Sequence, residues 1–152
     1  MSEKRALNFP EFDYKLKMVD QQEHIFDPVR KKYVKLTPEE WVRQHFVRYL
    51  VEAHHYPAAL VALEKELDFN RLHLRADAVV YSRKAQPLLL VECKAPDVPI
   101  RQEHFDQIVR YNMQLKVSYL MVTNGLQHYC VHLDLERNNY RFLGEIPDYE
   151  EL

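Results

Sequence analysis

The chain has 152 residues, of which 47% are hydrophobic and 29% charged, and its formal net charge at pH 7 is −2. This balance is typical of one globular domain with its own core, and it argues against a generic basic protein that coats nucleic acid. No apolar run approaches the roughly 20 residues that span a bilayer. The first residues, MSEKRALNFPEF, lack the apolar segment of a secretory signal. We therefore expect a cytoplasmic protein without a membrane partner.

The cysteines and glycines exclude several kinds of metal and nucleotide site. Cys93 and Cys130 show neither a CxxC motif nor the Cys/His spacing of a zinc site, so a reducing compartment is the simplest expectation. The two glycines, Gly125 and Gly144, exclude a GxxxxGK[ST] phosphate-binding loop and a GxGxxG loop. The sequence therefore encodes no nucleotide-driven motor.

Residues 1–36 are predicted to form a β-rich N-terminal elaboration. The short strand candidates there are Tyr14–Met18, His24–Phe26 and Tyr33–Leu36, separated by turns that contain Asp20 and Asp27-Pro28. The basic run Arg30-Lys31-Lys32 could contact phosphates, and a solvated turn explains it equally well.

The segment Thr37-Pro38-Glu39-Glu40 predicts the start of a helix. Thr37 suits the N-cap, Pro38 suits the first helical position, and Glu40 lies three residues after the cap, where a capping box places an acid. Apolar residues at helical spacing continue to about His54, and Pro57 ends the pattern.

The rest of the chain predicts six strands and a second helix. The strands are Leu60–Phe69, Leu74–Ser82, Pro87–Ala95, Val117–Val122, Gln127–Leu135 and Tyr140–Leu143, and the helix is Arg101–Gln114. Short connections favour an antiparallel meander of the first three strands, and the helix can return the next strand parallel to the third. The predicted fold class is α/β, in the sense of an α+β fold with helices packed on a mixed sheet. Residues 37–143 would form the core and residues 144–152 an acidic tail, within a single domain overall.

Three charged residues interrupt the strand-like apolar runs. Asp77 lies in one run, and Glu92 and Lys94 lie in the next. Burying such charges costs several kcal/mol unless they are paired or bound to a metal. Because side chains alternate along a strand, Glu92 and Lys94 would share one face, and Asp77 would share the face of Arg75 and of Val79 on its own strand.

A hairpin of these two strands would bring Asp77 beside Glu92. Two adjacent carboxylates repel unless a cation lies between them, and Mg²⁺ is held by one or two carboxylates together with water and phosphate oxygens. Lys94 could then orient a water or neutralise the transition state. The alternative is a set of cross-strand ion pairs, Asp77–Lys94 and Arg75–Glu92, on a half-exposed sheet. Cys93 would face the opposite, buried side as a small core residue.

The spacing of Asp77 and the Glu92-Cys93-Lys94 triplet, between one helix and a following helix and strand, resembles the PD-(D/E)xK nuclease superfamily. More closely, the blocks EEWVRQHFVRYL, LRADAVVY, LLLVECKAP, FDQIVRYN and YLMVTNG resemble the N-terminal nuclease domain of type I restriction enzyme R subunits. This likeness runs from about Thr37 to Leu133. It implies a restriction-endonuclease-like αβββαβ core that cleaves DNA with Mg²⁺, for which Mn²⁺ can substitute.

The resemblance also implies roles for individual residues. Asp77 and Glu92 match the metal-binding acids, and Lys94 matches the catalytic lysine. Glu40 matches the acid that the first helix often contributes to the metal site, and its alternative role is the capping box with Thr37.

Three further residues belong to the implied substrate site. Gln107 and Tyr111 lie one helical turn apart and match the glutamine-tyrosine motif near the active site, with a position on the helix surface or a satisfied polar contact as the alternative. Arg75 could contact the scissile phosphate or orient Asp77. The family's proline before the first acid is Ala76 here, which alters backbone shape and leaves the chemistry unchanged.

These observations favour a Mg²⁺-dependent DNA endonuclease. R subunits carry a translocating ATPase that this sequence lacks, so other restriction-modification subunits are expected partners for specificity or translocation. The main alternative is a catalytically silent module of the same fold that binds nucleic acid or protein. A third is a regulatory protein that docks through the acidic residues 144–152. Target sequence, DNA against RNA, and oligomeric state stay open.

Overall fold

The computed structural model describes residues 5–69 and 72–152, with the side chains of residues 67–69, 72–74, 104, 111 and 114 left undescribed. In this part of the chain, two β-sheets and two α-helices account for most of the regular structure. The smaller sheet has the order β1-β2-β3, with β1 at Leu16–Val19, β2 at Gln22–Asp27 and β3 at Lys32–Lys35. The larger sheet has the order β4-β5-β6-β7-β8-β9, with β4 at Val61–Phe69, β5 at Leu72–Tyr81, β6 at Pro87–Cys93, β7 at Tyr119–Thr123, β8 at His128–Asp134 and β9 at Asn139–Phe142.

The N-terminal sheet is an antiparallel meander formed by two tight turns. Asp20 and Gln21 both have positive φ, which matches the twist that a two-residue hairpin loop requires. In the second turn the buried Asp27 carboxylate accepts hydrogen bonds from the backbone N–H groups of Val29 and Arg30, at 2.8 and 3.1 Å. The three predicted N-terminal strands are therefore present, with ends shifted by one or two residues.

The helix α1 (Pro38–Ala53) begins as its sequence predicts. Thr37 is the N-cap, and its hydroxyl accepts a hydrogen bond from the Glu40 backbone N–H at 3.0 Å. Val42, Phe46 and Leu50 recur at helical spacing and are fully buried, because this stripe packs on one face of the larger sheet.

The larger sheet confirms the predicted mixed topology. Strands β4, β5 and β6 are antiparallel neighbours, helix α2 (Gln102–Leu115) makes the crossover, and β7 returns parallel to β6. Leu89, Leu90 and Val91 of β6 have no exposed surface. Leu89 and Val91 pack on the α1 side, and Leu90 packs on the α2 side. Burial on both faces explains why this strand is a continuous apolar run.

Residues 144–152 are packed against the core at one end of α1. Tyr149 is buried, and its hydroxyl donates to the Tyr81 carbonyl at 2.9 Å. Tyr56 donates to the Pro147 carbonyl at 2.9 Å, and the acids Glu145, Glu150 and Glu151 of this segment are exposed. Among the described residues, no helix combines the length and apolar character needed to cross a membrane.

Candidate active site

The site forms where the pairing of β5 and β6 ends. Ala78 pairs with Val91, so Asp77 and Glu92 occupy the next positions on these neighbouring strands. The Asp77 Oδ2 atom accepts a hydrogen bond from the Cys93 backbone N–H at 2.7 Å. Lys94 follows immediately, with its backbone N–H bound to the Thr123 carbonyl of β7 at 2.8 Å. The structure thus brings the two acids together and anchors the lysine beside them.

The ionised forms of both carboxyls are disfavoured in the folded chain. Burial is the main cause that raises the pKa of Asp77, and the Cys93 N–H, Arg43 and Lys94 counteract it in part. Burial and the charge of Asp77 raise the pKa of Glu92 to about 7, with Lys94 acting in the opposite direction. A carboxyl that titrates near neutrality is typical of functional sites. A proton or a bound cation would relieve this repulsion.

Glu40 is bound by three side-chain donors. Its carboxylate accepts hydrogen bonds from Arg30 Nη2 at 2.8 Å, from Arg43 Nε at 3.0 Å and from Gln44 Nε2 at 3.0 Å. Burial alone would raise the pKa of Glu40, but Arg43, Gln44 and Arg30 together lower it. The Glu40 carboxylate therefore links α1 to two guanidinium groups and does not return to Thr37 to complete a capping box.

Glu64 is a member of the site that sequence reasoning missed. Leu63 pairs with Ala78 and Lys65 with Ala76, so Glu64 and Asp77 oppose each other between these pairs. Glu64 has a φ of +51°, which is strained for a residue with a side chain. Its carboxylate pairs with Arg43 at 3.1 Å, Arg75 at 3.0 Å and Arg30 at 3.4 Å.

The side-chain alternation of β5 shifts at Asp77. Ala78 packs with the α1-side core cluster, whereas Ala76, two residues away, packs with the α2-side cluster. Asp77 Oδ1 lies 3.8 Å from Arg43 Nη1 of α1, while Val79 packs on the α2 side. The expectation that Asp77 and Val79 share one face is therefore wrong, and the opposing Glu64 has a positive φ at the same point of the sheet.

An open cavity of about 460 Å³ adjoins Asp77. The free edge of β3, the start of α1 and the neighbouring part of β4 and β5 form its walls. Its charged lining residues are Arg30, Lys32, Lys35, Glu39, Glu40, Arg43, Glu64 and Asp77. Asp77 can therefore be reached from solvent through a cleft whose walls carry both basic and acidic side chains.

The family to which the sequence is similar agrees with the fold described above. Residues 38–147 match the family described as type I restriction enzyme R protein N terminus (HSDR_N). The chain belongs to this family. The relationship to R subunits that the sequence blocks predicted is thereby confirmed, whereas membership of the PD-(D/E)xK superfamily stays a prediction.

A solved structure supports the fold of this HSDR_N chain. The chain is similar to a fragment of an HsdR subunit of a type I restriction enzyme from Vibrio vulnificus YJ016. The TM-score is 0.53, and the identity is 19% over 75% of this chain. The similarity covers 24% of the other chain, so the HSDR_N chain corresponds to about a quarter of it. No curated protein matches the sequence. The predicted mixed α/β fold is confirmed.

The remaining predicted site residues are Arg75, Gln107 and Tyr111. Arg75 is 63% exposed at its side chain and pairs with Glu64, and Gln107 is exposed on α2. The side chain of Tyr111 lies outside the described residues. Among the described side chains, neither Asp77–Lys94 nor Arg75–Glu92 forms an ion pair, because Arg43 and Glu64 are the partners instead.

Cys93 is buried, as expected for a core residue between the two charged positions. Burial raises the pKa of its thiol well above the ordinary value. A thiol with a raised pKa and no access to solvent does not act as a nucleophile at neutral pH.

The donor set suits Mg²⁺ better than a transition metal. Asp77 Oδ1 and the Glu92 carboxylate could supply hard oxygen ligands, and Mg²⁺ normally keeps several waters beside one or two carboxylates. In the described part of the chain no three His, Cys, Asp or Glu side chains are grouped as a ready metal cage. Water and a phosphate oxygen would have to provide the remaining ligands.

Proposed function

We propose that this HSDR_N chain is a Mg²⁺-dependent endonuclease that hydrolyses DNA phosphodiester bonds. The observation that carries the proposal is the convergence of Asp77 and Glu92 at the end of the β5–β6 pairing, with Lys94 anchored next to them. The family relationship supports a place beside other restriction-modification subunits, which would supply specificity or translocation in the cytoplasm.

The proposed reaction is the attack of water on the phosphorus atom. Asp77 and Glu92 would hold Mg²⁺, which when bound lowers the pKa of a coordinated water and offsets charge on the phosphate. The P–O3′ bond breaks, the 3′ oxygen takes up a proton, and the products carry a 5′-phosphate and a 3′-hydroxyl.

The residues of the chain have separate tasks in this scheme. Glu92 must lose its proton to serve as a ligand, and Lys94 orients the attacking water or neutralises the charge that develops on the phosphate. The Cys93 N–H holds Asp77 Oδ2, which leaves Oδ1 directed toward Arg43 and the cleft. Glu40, Gln107 and Tyr111 remain predicted contributors to the metal or substrate site.

Plasmid nicking tests the proposal directly. The unaltered chain should relax supercoiled DNA with Mg²⁺ or Mn²⁺ and leave it intact with EDTA. Asp77→Asn, Glu92→Gln and Lys94→Gln should each reduce the rate at least 100-fold, as expected when a group that acts in the transition state is removed. The matched control is Glu136→Gln, which removes an exposed carboxylate from the turn between β8 and β9. Equal nicking by the Asp77 and Glu136 variants would reject the site.

A silent binding module is the second candidate. It is favoured by the position of Arg43, whose guanidinium lies 3.8 Å from Asp77 Oδ1 and already offsets its charge. Retarded DNA mobility without cleavage in Mg²⁺, together with no heat of Mg²⁺ binding in calorimetry, would select this function over hydrolysis.

A further inference from the structure

The N-terminal sheet presents a face that combines basic and aromatic side chains. Its register places Lys17, His24 and Lys35 in one cross-strand row and pairs Phe26 with Tyr33 in the next row on the same face. Lys17 Nζ lies 4.1 Å from the centre of the Tyr33 ring. Cationic side chains interleaved with aromatic rings are the composition of surfaces that track a nucleic-acid strand.

This sheet is fixed beside the candidate active site. Arg30, in the turn between β2 and β3, pairs with Glu40 of α1 at 2.8 Å and with Glu64 of β4 at 3.4 Å. Lys32 and Lys35 on the edge strand β3 are exposed and line the cleft that ends at Asp77. Tyr33 and Lys35 of the basic face therefore line the same cleft as Asp77 of the candidate active site.

The charge of the face differs from that of the whole chain. Its exposed basic side chains are Lys15, Lys17 and Lys35, while the exposed Lys32 of the same edge strand β3 lies on the opposite face. Asp27 is buried, and its carboxylate is bound by Arg30, so this acid does not offset the lysines at the surface. The face is thus locally basic although the formal net charge of the chain is −2.

We propose that the sheet β1–β3 is the surface that binds the phosphate backbone of the DNA strand entering the cleft toward Asp77. The sheet precedes residues 38–147, so it is an addition to the part of the chain that the family describes. The inference rests on the proposed function in taking nucleic acid as the ligand. Phosphate contacts by lysines give affinity without sequence preference, and Tyr33 offers a ring on which an unpaired base can stack.

Binding measured without cleavage tests this surface. Fluorescence anisotropy would follow a labelled 30-base-pair duplex and the corresponding single strand in EDTA, across a series of salt concentrations. The test variant is Lys32→Gln/Lys35→Gln, and the control is Lys84→Gln/Arg137→Gln, which removes the same charge at exposed positions away from β3. Counterion release predicts a loss of roughly tenfold in affinity for each lost phosphate contact near 0.1 M salt, and a salt slope smaller by about 2 for the test variant.

The outcomes separate this inference from the proposed function. A loss confined to the test variant supports the surface, and a stronger loss on the single strand than on the duplex identifies unpaired DNA as its preferred form. Equal affinity of the test and control variants, or no binding of either probe by the unaltered chain, overturns it. A chain that binds through β3 but never nicks DNA would retain the surface and reject hydrolysis.

Discussion

Glu92→Gln should stabilise the metal-free chain, and the gain should depend on pH. Burial and Asp77 raise the pKa of Glu92 in the folded chain to about 7, against a reference value of 4.5. A carboxyl whose pKa is raised by folding contributes most below its unfolded pKa, and this contribution is lost as the pH rises through the folded pKa. Each pKa unit corresponds to about 1.4 kcal/mol. The variant should therefore gain up to about 3 kcal/mol between pH 4.5 and 7 and keep that gain at pH 8.

Urea unfolding in EDTA between pH 4.5 and 9 measures this gain. The difference in free energy of unfolding between Glu92→Gln and the unaltered chain should rise through this window and then level off. Glu136→Gln controls for the loss of an exposed carboxylate. Saturating Mg²⁺ should remove the advantage of Glu92→Gln, because the cation stabilises only the ionised glutamate. A difference that stays constant from pH 4.5 to 9 would refute the reasoning, since it would mean that Glu92 is not held in a charge-disfavouring site.

Three further changes test the scaffold of the site by the same unfolding measurement. Arg43→Ala should cost about 3 kcal/mol, because it removes one of the two guanidinium partners of the buried Glu40, and a loss below about 1 kcal/mol would indicate that Arg30 or water replaces the pair. Thr37→Ala should cost about 1 kcal/mol through loss of the N-cap hydrogen bond, whereas Thr37→Ser should restore most of it. Tyr149→Phe should cost about 1 kcal/mol through its lost bond to the Tyr81 carbonyl, and no change would show that this hydroxyl exchanges its partner for water.

The fold was predictable because local signals and topology rules agree along most of the chain. The Thr37-Pro38 start of α1 and the buried run of β6 are both strong patterns, and the structure has each element where the sequence predicts it. The length of the α2 connection then decides the parallel return of β7. The observed strand ends differ from the predicted ones by one or two residues, because hydrogen-bond pairing rather than composition decides where a strand ends.

The candidate site was only partly predictable. Asp77 and Glu92 stand out because acids are rare in apolar strands, and the short connection between β5 and β6 makes their meeting a simple consequence of hairpin pairing. Glu64 carries no such signal. It lies in the segment LEKEL, which mixes charged and apolar residues. Its part in the site depends on the β4–β5 register and on its positive φ. The segment contains no glycine or asparagine from which a positive φ could be predicted. The part of Arg43 in the site could not be predicted from the sequence either, since a basic residue on a helix is ordinarily exposed to solvent.

The arginine network explains how Glu40 and Glu64 can be close to Asp77 and Glu92, the two proposed metal ligands, without unfolding the site. Glu40 and Glu64 are both paired with Arg43 and Arg30, and burial outweighs pairing only for Asp77 and Glu92. Permanent guanidinium charges therefore stabilise the ionised forms of Glu40 and Glu64, while the two proposed ligands keep raised pKa values.

Because Glu92 must release a proton before it binds a cation, Mg²⁺ affinity should increase with pH through neutrality. Arg43 would still repel the cation at Asp77, so a DNA phosphate that adds negative charge at the cleft should strengthen Mg²⁺ binding, and Mg²⁺ should strengthen DNA binding by the same factor.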